Sequence, residues 1–182
     1  MRIVDLTVPI GADTYAPPSV NTPIGVEVRH KQPGYWQVTS VQMVLHSGAH
    51  VDFSLHYRED GESAEQVALD RCCGSALVLD LGELAPSHEI TVADVEAADP
   101  GLAPGDIALV RTGWTDRSWG RFPDYYVGSP SCSPEAAEWF VAKGCRAVGF
   151  DCFPEAAAKK MEYLPEEFVV HRIIGDGGAV LM

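Results

Sequence analysis

The sequence predicts a mixed α/β domain with a strand-rich core. Three observations carry that prediction. Short apolar runs closed by turn residues recur along the chain, as buried strands do. Two stretches carry their own helix start and stop signals. Glycine and proline are frequent, at 17 and 13 of 182 residues, which favours many turns and short strands over a helical bundle. The length suits one domain better than two.

The elements follow in order. "RIVDLTVPI" alternates as a strand does and ends at Pro9. "GADTYAPPSVNTP" is a loop by its turn residues. "GVEVRH" and "WQVTSVQMVLH" read as strands, the second setting Val38, Ser40 and Gln42 against Thr39, Val41 and Met43. "SALVLDLG" reads as a short buried strand. "TVADVEAADPG" reads as a helix, with Thr91 and Asp94 as a capping box and Pro100-Gly101 as the stop. "DIALVRTGW" is a further buried strand. "TDRSWGRFPDYYVGSP", rich in aromatic residues and turn formers, reads as a long loop of the kind that often serves as a lid, with a disordered excursion as the alternative. In "SPEAAEWFVAKG", Ser133 is a good N-cap, Pro134 fits the first turn and Gly144 fits the stop. Ala137, Phe140 and Val141 would share that helix's buried face. "RAVGFD" reads as a strand and "RIIGDGGAVLM" as the start of another. Strands come first, then helix and strand alternate, with no internal repeat.

Thirteen basic residues stand against 26 acidic ones, a formal net charge of −13. Such a surface repels phosphate backbones and anionic bilayers, which argues against nucleic-acid or membrane partners. No apolar run approaches spanning length, and Asp5 interrupts the opening too early for a signal peptide. The expectation is a cytoplasmic protein. The five cysteines are odd in number and lack a repeating spacing, so reduced thiols are expected rather than a disulfide framework.

The chemistry concentrates in "HSGAHVDFSLH", residues 46–56, which holds three of the chain's six histidines and an aspartate. Imidazole and carboxylate together suit zinc, manganese or iron. On a straight strand His46 and Asp52 would sit roughly 20 Å apart, too far for one ion. On a helix His46 and His50 would meet, but Asp52 would rotate away. Convergence requires a turn at Ser47-Gly48-Ala49 followed by extended Val51-Asp52-Phe53, with Gly48 supplying the permissive backbone. His56 is then free to move protons for a metal-activated water. No cysteine belongs to the cluster, and an incomplete protein ligand set favours catalysis over a structural site.

At these residues the sequence resembles the cyclase family of metal-dependent hydrolases, which includes bacterial kynurenine formamidase and isatin hydrolase. The family signature HxGTHxDxPxH is matched at every histidine, the glycine and the aspartate; Ala49 and Ser54 depart from it. "IVDLTVPI", "GDIALVRTGW" and "AVGFD" resemble further family strands. The resemblance implies a swivelling β/β/α fold and one domain over 1–182 without the family's C-terminal segment; the sequence stops where a second-site glutamate would be expected, so it is either cleaved or incompletely represented, or lacks that carboxylate. It implies His46, His50 and Asp52 as metal ligands, His171 in "VVHRII" as a ligand to a second ion bridged by Asp52, and His56 as acid/base. Trp114 would line the substrate pocket, with a core position equally open. Tyr15 and Pro17-Pro18 would help form its mouth, or merely pack as a loop. The implied activity is hydrolysis of a non-peptide C–N bond, in an aryl formamide or cyclic amide, with one or two zinc or manganese ions. The expected partners are a small-molecule substrate and further copies in a homodimer or homotetramer. A lactone hydrolase or cyclase using the same site, or a catalytically silent metal- or ligand-binding homologue, are the alternatives.

Overall fold

A computed structural model describes residues 3–20 and 22–182 of the chain. Near the N-terminus, β1 (Gly25–Lys31) and β2 (Trp36–Gln42) pair antiparallel, from Gly25 opposite Gln42 to Lys31 opposite Trp36. Period-2 alternation puts Val26, Val28 and Val41 on one face of this hairpin and Glu27, Arg29 and Val38 on the other. Both faces stand in solvent.

The rest of the chain alternates strand and helix. It runs through β3 (Ala76–Asp80), β4 (Glu89–Ile90), α1 (Val92–Ala98), β5 (Ile107–Arg111), α2 (Trp114–Ser118), α3 (Asp124–Val127) and β6 (Ser131–Cys132). It continues with α4 (Pro134–Ala142), β7 (Ala147–Phe150), α5 (Val169–Asp176) and β8 (Val180–Leu181). The central sheet has the order β3-β5-β7-β8, every neighbour parallel, and β4 pairs with β6 beside it. A parallel sheet needs cover on both faces. Leu79, Ala108, Val110, Val148 and Leu181 meet Val95, Phe140 and Ile174 of α1, α4 and α5 in the main core. The alternate residues Ile107, Ala147 and Val180 form a smaller cluster on the other face, with Phe53 packed against it.

The helix signals act as the sequence predicts. Thr91 and Asp94 form a reciprocal capping box on α1, and Ser133 Oγ accepts from Ala136 N–H at 3.1 Å on α4. Ala137 and Phe140 are fully buried and Val141 half-buried. Asp151, just past β7, accepts from the Thr112 and Gly113 amides at 2.8 Å each and from Thr112 Oγ1 at 2.6 Å. It ties the ends of β5 and β7 together.

Three expectations need correction. Residues 3–10 form no strand; Ile3, Val4 and Leu6 are exposed, because no strand of the described chain lies alongside to pair with them. The first two residues of that stretch's neighbourhood, Met1 and Arg2, lie outside the described residues. The 115–130 stretch is a packed unit: α2 and α3 carry a cluster in which Trp119, Phe122, Tyr125 and Tyr126 meet at ring-centroid distances of 5.0–6.0 Å. Aromatic edge-to-face packing, not solvation, holds it. Finally, 169–176 is helix and only Val180–Leu181 is strand. Residues 172–182 read as the start of a strand, yet Val170, His171 and Ile174 share one buried helical face.

Candidate active site

The site forms at the β8 edge of the sheet. Chain 46–53 turns sharply and then runs alongside β8, with Asp52 N–H donating to Leu181 C=O at 2.9 Å. Gly48 makes the turn at φ +75°, and a Cβ there would stand 2.6 Å from Ile10 Cδ1. The left-handed backbone favours glycine there, while the Ile10 side chain could shift to admit a Cβ. Residues Ser54–His56 close into a short 3₁₀ turn. Ser54, which stands where the motif has proline, accepts Glu62 N–H through Oγ at 2.8 Å and anchors that turn. His171 arrives from the first turn of α5, buried to 5 % exposure.

These elements bring four donors together. His46 Nδ1 lies 3.3 Å from His50 Nε2 and 3.1 Å from Asp52 Oδ1. Asp52 Oδ2 lies 3.5 Å from His50 Nε2 and 3.2 Å from His171 Nε2. Tetrahedral ligands on bonds of about 2.1 Å stand about 3.4 Å from one another, so the separations among His46, His50 and Asp52 fit one ion. Asp52, His56 and His171 form a second set whose ligand atoms all lie within 4.8 Å. Asp52 belongs to both.

The hydrogen-bond pattern supports the same reading. His50 Nδ1 donates to the Gly48 carbonyl at 2.8 Å, and His171 Nδ1 donates to the Glu155 carboxylate at 3.0 Å. A carbonyl or carboxylate only accepts, so in each neutral ring Nε2 carries the lone pair. Two imidazole lone pairs and an acceptor-only carboxylate thus point at one another. Protonated rings or a central cation would satisfy this convergence, and the His/Asp cluster can hold a divalent metal.

Charge follows this geometry. Burial disfavours ionised Asp52, but hydrogen bonds from His171, His46 and His50 outweigh it and hold the carboxyl far below its usual range. Burial also disfavours charged His50 and His171; Asp52, joined at His171 by Glu155, reverses this and raises both. His56 goes the other way. Its ring reaches solvent but is covered by His46 at 4.1 Å between centroids, and burial with the neighbouring imidazoles pushes its pKa down to about 4.

These shifts predict the pH dependence of the metal-free protein. Between pH 4 and 6.5 the unfolded chain binds the proton that native His56 refuses, so stability rises with pH. Above 6.5 native His50 and His171 keep protons that the unfolded chain releases, so stability falls. Urea titrations of metal-stripped protein should show a maximum near pH 6.5. A curve rising steadily to pH 9 would contradict the charge arrangement.

The cluster floors a cleft of about 360 Å³, with Phe153, Tyr163, Phe168, Pro17 and Val20 among its walls. Two expected pocket residues lie elsewhere. Trp114 is buried in the core, its Nε1–H donating to the Tyr125 carbonyl at 2.9 Å. Tyr15 packs against Phe122 at 6.1 Å, and its carbonyl accepts from Tyr126 OH at 2.8 Å. Pro17 does reach the cleft, through the loop that Tyr15 begins. Phe153, Tyr163, Phe168 and Glu155 went unread in the sequence. A glutamate among apolar residues just after a buried strand, in "FDCFPEAAA", was the available signal for Glu155.

A family described as putative cyclase matches residues 4–154. The chain belongs to this cyclase family. A protein named kynurenine formamidase, from Erythrobacter litoralis (strain HTCC2594), is 34% identical over 116 residues, covering 63% of this chain and 48% of that protein. The cyclase-family chain thus matches about half the length of this curated relative. Among solved structures, an isatin hydrolase bound to the product analogue thioisatinate superposes with a TM-score of 0.79 at 18% identity, over 98% of this chain and 77% of the other. Isatin hydrolase A from Labrenzia aggregata gives a TM-score of 0.75 at 22% identity, over 99% and 78%. These likenesses establish the cyclase fold for the whole described chain, including the α5–β8 region beyond the matched residues.

Proposed function

We propose that the protein is a divalent-metal-dependent hydrolase of a non-peptide carbon–nitrogen bond, in an aryl formamide or a cyclic amide. The observation that carries this reading is the convergence of His46 and His50 on Asp52, with His171 reaching the same carboxylate from α5. The names of the relatives, kynurenine formamidase and isatin hydrolase, support the bond class. Phe153, Tyr163 and Phe168 along the cleft support an aromatic substrate.

His46, His50 and Asp52 would hold the first ion, and Asp52 with His171 a second. Zinc and manganese both suit these donors. When bound, the ion supplies Lewis acidity and lowers the pKa of water toward about 7. His56, neutral at working pH, takes the proton of the attacking water and passes it to the departing nitrogen. The aromatic walls hold the ring of the substrate and exclude water around the reacting carbonyl.

The proposal extends to a homodimer or homotetramer in the cytoplasm. The hairpin with both faces in solvent supports assembly, since a lone two-stranded ribbon is marginal in water. Among the described residues no helix is long and apolar enough to cross a membrane.

The deciding experiment strips the full chain with a chelator, reloads it with zinc or manganese, and assays a formylated arylamine and a fused cyclic amide. Hydrolysis absent from the stripped protein and restored by one metal is the expected result. A reloaded protein that hydrolyses neither substrate class overturns the reading.

A further inference from the structure

Glu155 is buried to 2 % exposure in the segment that follows β7, far in sequence from the histidine motif. A buried carboxylate is costly unless donors surround it. Its Oε2 has three: Val170 N–H at 3.0 Å, His171 N–H at 3.3 Å and His171 Nδ1–H at 3.0 Å. The two amides belong to the first turn of α5, whose N-cap is Phe168 and makes no side-chain cap hydrogen bond. Glu155 therefore supplies from a distant part of the chain the acceptor that this helix start lacks.

A helix cap alone does not require the third bond. The same oxygen that accepts the amides also takes the imidazole Nδ1–H, so the start of α5 and the orientation of its histidine are set together. Phe168 fixes the ring plane from the other side, stacked on His171 at 4.1 Å and 27°. The outcome is a Nε2 lone pair held 3.2 Å from Asp52 Oδ2. A histidine locked in this way loses little freedom when an ion arrives, and the carboxylate behind it raises its donor strength.

We propose that Glu155 is the positioning residue of the Asp52–His171 half of the site, completing a carboxylate–histidine–metal relay for the second ion. The inference rests on the metal-binding reading above. It assigns Glu155 no contact with substrate or ion.

The test is a zinc titration of the full chain against a competing chelator, with wild type, Glu155→Gln, Glu155→Ala and His171→Ala, alongside melting of each metal-free protein. The amide oxygen of Glu155→Gln still accepts from the helix start, so that variant folds, and its lost charge should weaken the second ion about tenfold. Glu155→Ala should weaken it by about 100-fold, with the first ion unchanged. His171→Ala should remove the second ion. If both Glu155 variants hold the second ion as tightly as wild type, with only the melting temperature changed, Glu155 is a helix cap and the proposal falls. If wild type itself takes up a single ion, the two-ion reading fails and the proposal with it. If it takes up none, the metal reading fails as well.

Discussion

Asp52→Ala should leave the protein unable to hold metal under conditions that load the wild type. Asp52 is the common member of both donor sets, and its oxygens face three imidazoles at 3.1–3.5 Å. Losing an outer partner of a ligand weakens metal binding about 10–100-fold. Losing the shared ligand itself should exceed the upper end of that range for each ion. The metal-free protein should suffer too. The Asp52 side chain is nine-tenths buried, and removing one partner of a buried charged cluster costs about 3–5 kcal/mol. The backbone bond from Asp52 to Leu181 is kept by any residue, so the loss reports the carboxylate and not the docking of the segment. Asp52→Asn separates the two effects: it preserves volume and one acceptor while removing the charge. Metal analysis after dialysis and urea unfolding check both. An Asp52→Ala protein that retains stoichiometric metal would refute the site.

The site's local half was legible because the constraint was geometric. Neither strand nor helix could make His46, His50 and Asp52 converge, so a turn at Gly48 was required, and its φ of +75° meets that requirement. The sheet strands and the capped helices were legible for a similar reason: short apolar runs closed by turn residues and the Thr91 and Ser133 caps act over a few residues. What escaped were features set by contacts distant along the chain. The start of the helix at 169–176 is capped by Glu155 from the preceding connection, a contact that the local reading of 172–182 as the start of a strand could not include. Trp114 is assigned to the pocket by the family resemblance, with a core position equally open. It lies in the main core, where the Tyr125 carbonyl, brought over by α3, accepts its indole N–H. Residues 3–10 alternate like a strand but have no partner strand among the described residues, and alternation alone cannot supply one.

His56→Ala should lower kcat by about 10²–10⁴ while both ions remain bound. The prediction separates two roles that geometry allows. His56 lies within ligand reach of Asp52 and His171, so it can join the second ion. It also lines the cleft, tilted against His46 and edge-on to Phe168 at 5.3 Å, where a proton carrier would meet substrate. The second role is favoured by the ring's setting. No carboxylate or carbonyl pins its far nitrogen among the described residues' hydrogen bonds, whereas His50 and His171 are each pinned. An unpinned ring can turn between the attacking water and the leaving nitrogen. Its pKa of about 4 keeps it neutral and able to accept a proton at pH 7, and makes the imidazolium that forms a strong acid toward the departing nitrogen. Protonation of His56 therefore should not limit kcat above pH 5, and any acid limb seen there should track metal loss as His50 and His171 regain protons. Metal content and kcat measured on the same preparations decide the matter. Loss of an ion with the side chain would make His56 a ligand, and unchanged turnover with both ions bound would remove it from the chemistry.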